Sequence, residues 1–185
     1  MDNRDLLAED KRSVVRLARR TLEEFLGGVE PSKPVTDSPA LRRPCATFVT
    51  LRRRDSGELR GCRGEVHARY PLVDSVVRMA IAAATDDPRF PVVTREELPD
   101  LQIEISALTP LEPIEPGEVV VGRHGLMISK GLSSGLLLPQ AAVHYGWDRE
   151  MFLCMLCRKA GLPDDAWKAG NSRLLAFEAE VWGEE

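Results

Sequence analysis

Extended runs arrive in neighbouring pairs along this chain instead of alternating one by one with helices, and that order restricts the fold more than any other feature. Cys45, Val49 and Leu51 share one side of an extended run with Phe48 on the other, and Asp55-Ser56-Gly57 supplies turn chemistry before a second run from Glu58. A β-hairpin is expected there. Leu101, Ile103, Ile105 and Ala107 alternate with Gln102, Glu104 and Ser106, the pattern of a half-buried antiparallel strand. Val119–Val121 and Leu126–Ile128 flank Gly122-Arg123-His124-Gly125, which predicts a second hairpin, and 136–138 fits a further strand. The chain closes on Leu175, Phe177, Ala179 and Val181, with Glu178 and Glu180 on the opposite side.

Helical spacing fills the intervals. Leu7, Val14, Ala18, Leu22 and Phe25 mark one face of a helix that Gly27-Gly28 ends. Pro71 to Thr85 reads as a buried, Ala-rich helix whose small side chains admit a close neighbour. Thr94 with Glu97 forms a capping box. A short helix is expected after Pro139, and Asp148 caps another that stops at Gly161, with Arg158 and Lys159 complementing its dipole. Four prolines between Glu30 and Pro44, and two in Asp86-Asp87-Pro88-Arg89-Phe90-Pro91, require irregular loops. Strands in pairs with separate helices favour an α+β fold, an antiparallel sheet flanked by helices, over a doubly wound one.

A length of 185 residues is one domain, or one domain with a small lobe grown from it, so the whole range 1–185 is read as a single domain. Hydrophobic residues at 43% and charged residues at 29% exclude collagen-like and disordered chains. The longest apolar run, Met151–Cys157, is seven residues, well under the roughly 20 that span a bilayer. The first residues lack the layout of a secretory signal, so a cytoplasmic protein is expected, and its four cysteines are expected to be free thiols. Net charge is −4, yet the stretch from Arg42 to Arg69 holds eight arginines against three acids. Such a local positive field on an acidic chain suits a small anionic partner better than a long polyanion.

The most informative stretch is Leu59-Arg60-Gly61-Cys62-Arg63-Gly64. Glycines at that spacing permit close backbone approach, and the flanking arginines set the thiol in electropositive surroundings, which would lower its pKa. From here the sequence resembles the AMMECR-type domain family, called AmmeMemoRadiSam system protein A in bacteria and archaea. The match is carried by Leu59–Gly64, by Asp87-Pro88-Arg89-Phe90, by Gly135-Leu136-Leu137-Leu138-Pro139-Gln140 with Gly146-Trp147, and by Cys157-Arg158-Lys159-Ala160-Gly161-Leu162. The resemblance implies a larger and a smaller lobe with antiparallel sheet, and a cysteine signature near a cleft between them. It also implies a Memo-like protein and a radical-SAM enzyme as functional partners. Two departures stand out: Arg63 replaces the family's usual Ile, and His144 stands where Glu is common.

The expected site therefore has Cys62 as reactive group, Arg60, Arg63 and Arg89 as anion binders, and Gly61 and Gly64 as close-approach positions, with Asp87 and Gln140 completing the lining. Plainer readings stand beside these. Cys62 also fits a small buried strand residue, and Asp87 with Arg89 an ion pair that pins a loop. Cys154 and Cys157 sit inside an apolar helical run without a second ligand pair, so no metal site is expected. Neither a phosphate-binding glycine fingerprint nor an H-E-x-x-H motif is present, so no cofactor is implied. The reading is an enzyme or enzyme partner binding a small anionic ligand. Its alternatives are a non-catalytic protein-binding module, or RNA binding through the basic hairpin, where Phe48 and Tyr70 alone offer aromatic surface.

Overall fold

The computed structural model describes residues 6–184. In chain order they form α1 (Ala8–Leu26), β1 (Ala46–Arg53), β2 (Leu59–Glu65), α2 (Leu72–Thr85), β3 (Leu101–Leu108), β4 (Glu112–Pro113), β5 (His124–Lys130), β6 (Ser133–Leu137), α3 (Pro139–His144), α4 (Arg149–Lys159) and β7 (Arg173–Gly183). This is an α+β fold with antiparallel strands and flanking helices. Two compact units divide it: one runs to Leu108 and resumes at Glu180, the other spans Thr109–Ala179.

In the first unit β1 pairs antiparallel with β2 and with β3. Odd-numbered residues of β1 and β3 give one side of this sheet, where Val49, Leu51, Ile103 and Ile105 are fully buried. Helix α2 covers that side over β1 and β2, and α1 packs on α2 and β3. The apolar stripe of α1 is Val14, Ala18 and Leu22, all fully buried, while Leu7 and Phe25 at its two ends are exposed. Each large aliphatic side chain buried in this way contributes about 1.5–3 kcal/mol. The alanines of α2 do what their size suggests: a Cβ on Gly61 would lie 2.2 Å from the Ala83 carbonyl oxygen, so the helix rests directly on β2.

The last residues of the chain complete this unit. Glu180 pairs with Lys11, and the Trp182 indole donates to the Lys11 carbonyl at 3.2 Å. The Glu184 carboxylate takes a bidentate contact from the Arg19 guanidinium, a bond from Arg54 at 2.8 Å and the Ile103 N–H at 3.1 Å. Arg19 reaches on to the carbonyls of Leu98 at 2.8 Å and Leu101 at 2.7 Å.

In the second unit β5 pairs with β6 and β7, and β4 with β7. Leu126, Ile128, Phe152 and Leu156 centre its core, with α4 against β5 and β6. The second hairpin differs from the expected one. Val119–Val121 form no strand; the His124 N–H donates to the Val120 carbonyl at 3.0 Å and the Val120 N–H to His124 Nδ1 at 3.2 Å, which closes a turn. The true hairpin joins β5 to β6 at Gly131, whose φ of 59° is the left-handed turn value. Leu132 at its tip is fully exposed, and an apolar residue there conceals the turn from any reading of hydrophobic pattern.

The closing strand also differs. Leu174 and Ala176 face the second core while Leu175 and Phe177 are buried on the opposite side, the Phe177 ring lying over Gly125. Val181, expected to share the buried side, is exposed, and Trp182 packs on the first core. The strand passes from one unit into the other, so a single alternation cannot describe it. No helix among the described residues is long and apolar enough to cross a membrane.

Candidate functional site

The side of the first unit's sheet away from α2 carries even-numbered residues of β1 and β3. Direct partners across the three strands set up two rows: Cys62, Thr50 and Glu104, then Gly64, Phe48 and Ser106. This face is polar, yet Thr50 is 4% and Ser106 1% exposed. Thr50 Oγ1 donates to Cys62 Sγ at 3.4 Å. The glycines of the motif are already filled by the chain itself, Gly61 by the Ala83 carbonyl and Gly64 by the Phe48 ring.

Among the described residues strand β2 is paired only on its β1 side, so alternate backbone groups point outward, and Cys62 shows where one goes. Its N–H donates to Asp87 Oδ2 at 2.8 Å. Asp87, 5% exposed, also accepts from Arg89 Nε at 2.9 Å, Arg89 Nη2 at 2.6 Å and the Arg89 backbone N–H at 3.1 Å. The bidentate guanidinium bond, followed by the two N–H donors, holds the Asp87 carboxyl at about 2 against burial, which acts the other way. One carboxylate thereby fixes the backbone of the cysteine and the angle of a half-exposed arginine. A neighbouring strand is also kept off this edge.

Arg60 is placed differently from Arg89. Between Leu51 and Arg52 the register with β2 shifts, so that Leu51 faces Gly61 and Arg52 faces Leu59, with Arg60 as the extra residue of a bulge. Re-aimed by the bulge, Arg60 is 4% exposed and donates Nε and Nη2 to the two oxygens of Glu97, both at 3.0 Å, and Nη1 to the Pro91 carbonyl at 3.0 Å. Glu97 is in turn half of the expected capping box with Thr94. Arg60 therefore fastens the 86–97 loop to β2. The Phe90 ring stands beside both guanidiniums, 5.9 Å from Arg60 Cζ and 5.5 Å from Arg89 Cζ.

The thiol departs from its expected state. Burial, ahead of every other influence, pushes the Cys62 pKa up; Thr50 and Arg89 pull it down, and the Asp87 and Glu104 carboxylates push it up again. Arg63 is exposed on the outer edge of β2, and Arg60 spends its charge on Glu97, so neither arginine of the motif lowers the thiol. Cys62 is a protonated thiol at neutral pH.

The structure thus joins Cys62, Asp87 and Arg89 in direct contact and sets Gly61, Arg63 and Gly64 on the same strand, while Gln140 lies on α3 of the second unit. Glu104 belongs with Cys62 and was missed, because a carboxylate alternating with buried aliphatics reads as solvent-facing. Ser106, two residues on, is 1% exposed, so this face is partly buried, and sequence carries no sign of that. Cys154 and Cys157 lie on α4 with Cys157 fully buried. Among the described residues no group of three or more His, Cys, Asp or Glu side chains is placed to hold a metal ion.

The Asp87 geometry predicts an acid response. Its folded carboxyl titrates near 2, below the ordinary 3.8, so the unfolded chain binds the proton first as pH falls. Stability from this group is complete above about pH 4 and is lost as pH drops through about 2, a contribution of about 2 kcal/mol. Urea midpoints measured between pH 5 and 2.5 should fall more steeply for the wild type than for Asp87→Asn. Equal slopes would remove Asp87 from the account of acid unfolding.

Comparison with known proteins follows the same lines. The sequence model of the AMMECR1 family matches residues 15–182. The chain belongs to the AMMECR1 family. Among its relatives, Protein TK0174 of Thermococcus kodakarensis is 46% identical over 182 residues, covering 93% of this chain and 89% of that protein. A protein of Methanothermobacter thermautotrophicus is 42% identical over 188 residues and covers 97% of both. The crystal structure of uncharacterized protein PH0010 from Pyrococcus horikoshii superposes with a TM-score of 0.92 at 44% identity, covering 97% of this chain and 94% of that one. The AMMECR1 fold therefore spans the described chain.

Proposed function

We propose that this AMMECR1-family protein binds a small anionic ligand on the polar face of the first unit's sheet, with Cys62 as the group that reacts with an electrophilic centre of that ligand. The observation that supports the reading is Asp87, a buried carboxylate spent on orienting one backbone N–H and one half-exposed guanidinium beside a thiol. Arg89 presents the positive end of that pair, while Arg63, the register partner of Val49, leaves the opposite face of the sheet. A planar guanidinium suits a carboxylate or phosphate oxygen pair.

Parallel alkylation with iodoacetate, which is anionic, and iodoacetamide, which is neutral, tests this reading. With Cys154 in the same molecule as reference, Cys62 should prefer iodoacetate several-fold, and Arg89→Met should erase the preference. Equal reagent preference at the two cysteines would sink the anionic-ligand reading.

A second reading, a non-catalytic protein-binding module, draws on one observation. On the second unit Tyr145 stacks on Trp147 at 4.8 Å with His144 edge-on, and Tyr145 is 65% exposed. A Memo-like protein or a radical-SAM enzyme would be the partner to try, and Cys62→Ser would leave such binding intact.

A further inference from the structure

A half-buried, protonated thiol such as Cys62 reacts slowly unless a base removes its proton as the new bond forms. The motif itself holds no such base. Of the two carboxylates that act on Cys62, Asp87 is occupied by Arg89 and by the Cys62 N–H. Glu104 is the other. Its nearest ion pair is Arg52, at 4.0 Å, and its side chain is 28% exposed.

Register places Glu104 in line with the thiol. Thr50 is the direct partner of Cys62 on one side and of Glu104 on the other, so all three side chains leave the same face in one row across β2, β1 and β3. Directly opposed residues on adjacent strands have Cβ atoms about 4.5–5.5 Å apart, within reach of a hydroxyl and a glutamate. Thr50 Oγ1 donates to Sγ at 3.4 Å, and turning that hydroxyl proton toward Glu104 leaves Oγ1 as the acceptor for the thiol proton.

We propose that Glu104 is the proton acceptor for Cys62, reached through the Thr50 hydroxyl, so that Cys62, Thr50 and Glu104 form a proton relay across three strands. This rests on the reading of Cys62 as the reactive group. In the relay the Cys62 S–H bond breaks with its electron pair left on sulfur, and the proton passes to Thr50 Oγ1. The Thr50 O–H proton passes to a Glu104 carboxylate oxygen. Threonine ends unchanged, glutamate becomes neutral and sulfur becomes the nucleophile. The groups that face Glu104 are Arg52 from β1, Thr50 and Cys62 along the row, and Gln102 and Ser106 on its own strand. At the end of β7, Gly183 lies against its Cα and brings no charge. From the 86–97 loop, Asp87 and Arg89 reach Cys62.

The alternative is that Glu104 acts on the thiol only as a negative charge, and the two roles have opposite signs. A mere charge holds the proton on, so Glu104→Gln would speed alkylation of Cys62. A relay removes the proton, so the same change would slow it. The experiment is the rate of Cys62 modification by neutral iodoacetamide from pH 5.5 to 9.5, read by mass spectrometry on the full chain. Wild type should show a shoulder of reactivity below the thiol's own titration. Glu104→Gln should lose that shoulder by at least about tenfold and rejoin wild type at high pH. Thr50→Val should lose it too, and Thr50→Ser keep it. A Glu104→Gln protein as fast as wild type or faster overturns the relay and leaves the Cys62 reading standing. Wild type unmodified at Cys62 across the whole range overturns both.

Discussion

Arg60→Met should destabilise the first unit by about 2 kcal/mol, the cost of removing charge-assisted hydrogen bonds whose buried donor serves a partly exposed carboxylate that keeps Arg53. The side chain of Arg60 is 5% exposed and satisfies both oxygens of Glu97 and the Pro91 carbonyl. Methionine fills much of the volume but leaves a carboxylate held below its ordinary pKa mainly by Arg60. The loop that carries Asp87 and Arg89 would lose its anchor on β2 as well. Urea unfolding measures the loss, and Arg63→Met on the exposed edge of the same strand should stay within about 0.5 kcal/mol. Similar losses from the two changes would show that Arg60 is no clamp.

The second large effect is expected at the far end of the sequence. Glu184→Ala should cost about 2–3 kcal/mol and lower the melting temperature by about 5–10 °C. With the carboxylate gone, Arg19, only 17% exposed, keeps its two carbonyl partners and loses its counter-ion, while Arg54 and the Ile103 N–H lose an acceptor. A solvent-facing pair makes the comparison: Arg158 and Asp164 bond at 2.7 Å with side chains 58% and 49% exposed, and breaking that pair should leave the melting temperature close to that of the wild type. Differential scanning calorimetry of the two variants decides between a structural clasp and an incidental contact.

These two cases also show what sequence could and could not convey. The first hairpin, the Ala-rich helix, the Thr94–Glu97 box and the Asp148 cap were all legible, because each depends on residues within a few positions of one another. Arg60 and Arg89 are alike as letters in a sequence. A bulge of one residue inside the first hairpin re-aims Arg60 onto Glu97, 37 positions on, and makes it a clasp, whereas Arg89 pairs with Asp87 two residues back and stays half exposed. The thiol's protonation was misread for the same reason, since the arginines were counted as neighbours while their charge is spent elsewhere. Glu104 escaped notice because its partner in the row, Cys62, is 42 positions away and connected only by register.

Because β7 serves the second unit up to Ala179 and the first from Glu180, the first unit encloses the second in the order of the chain. During synthesis the residues that close the first unit, Glu180, Trp182 and Glu184, follow the whole of the Thr109–Ala179 segment. Three strands and two helices must then wait, with the edge of β3 unfinished, while more than seventy further residues are made. The Thr109–Ala179 segment has all its core residues in one continuous stretch and can fold first, so the N-terminal part of this protein is the later one to mature.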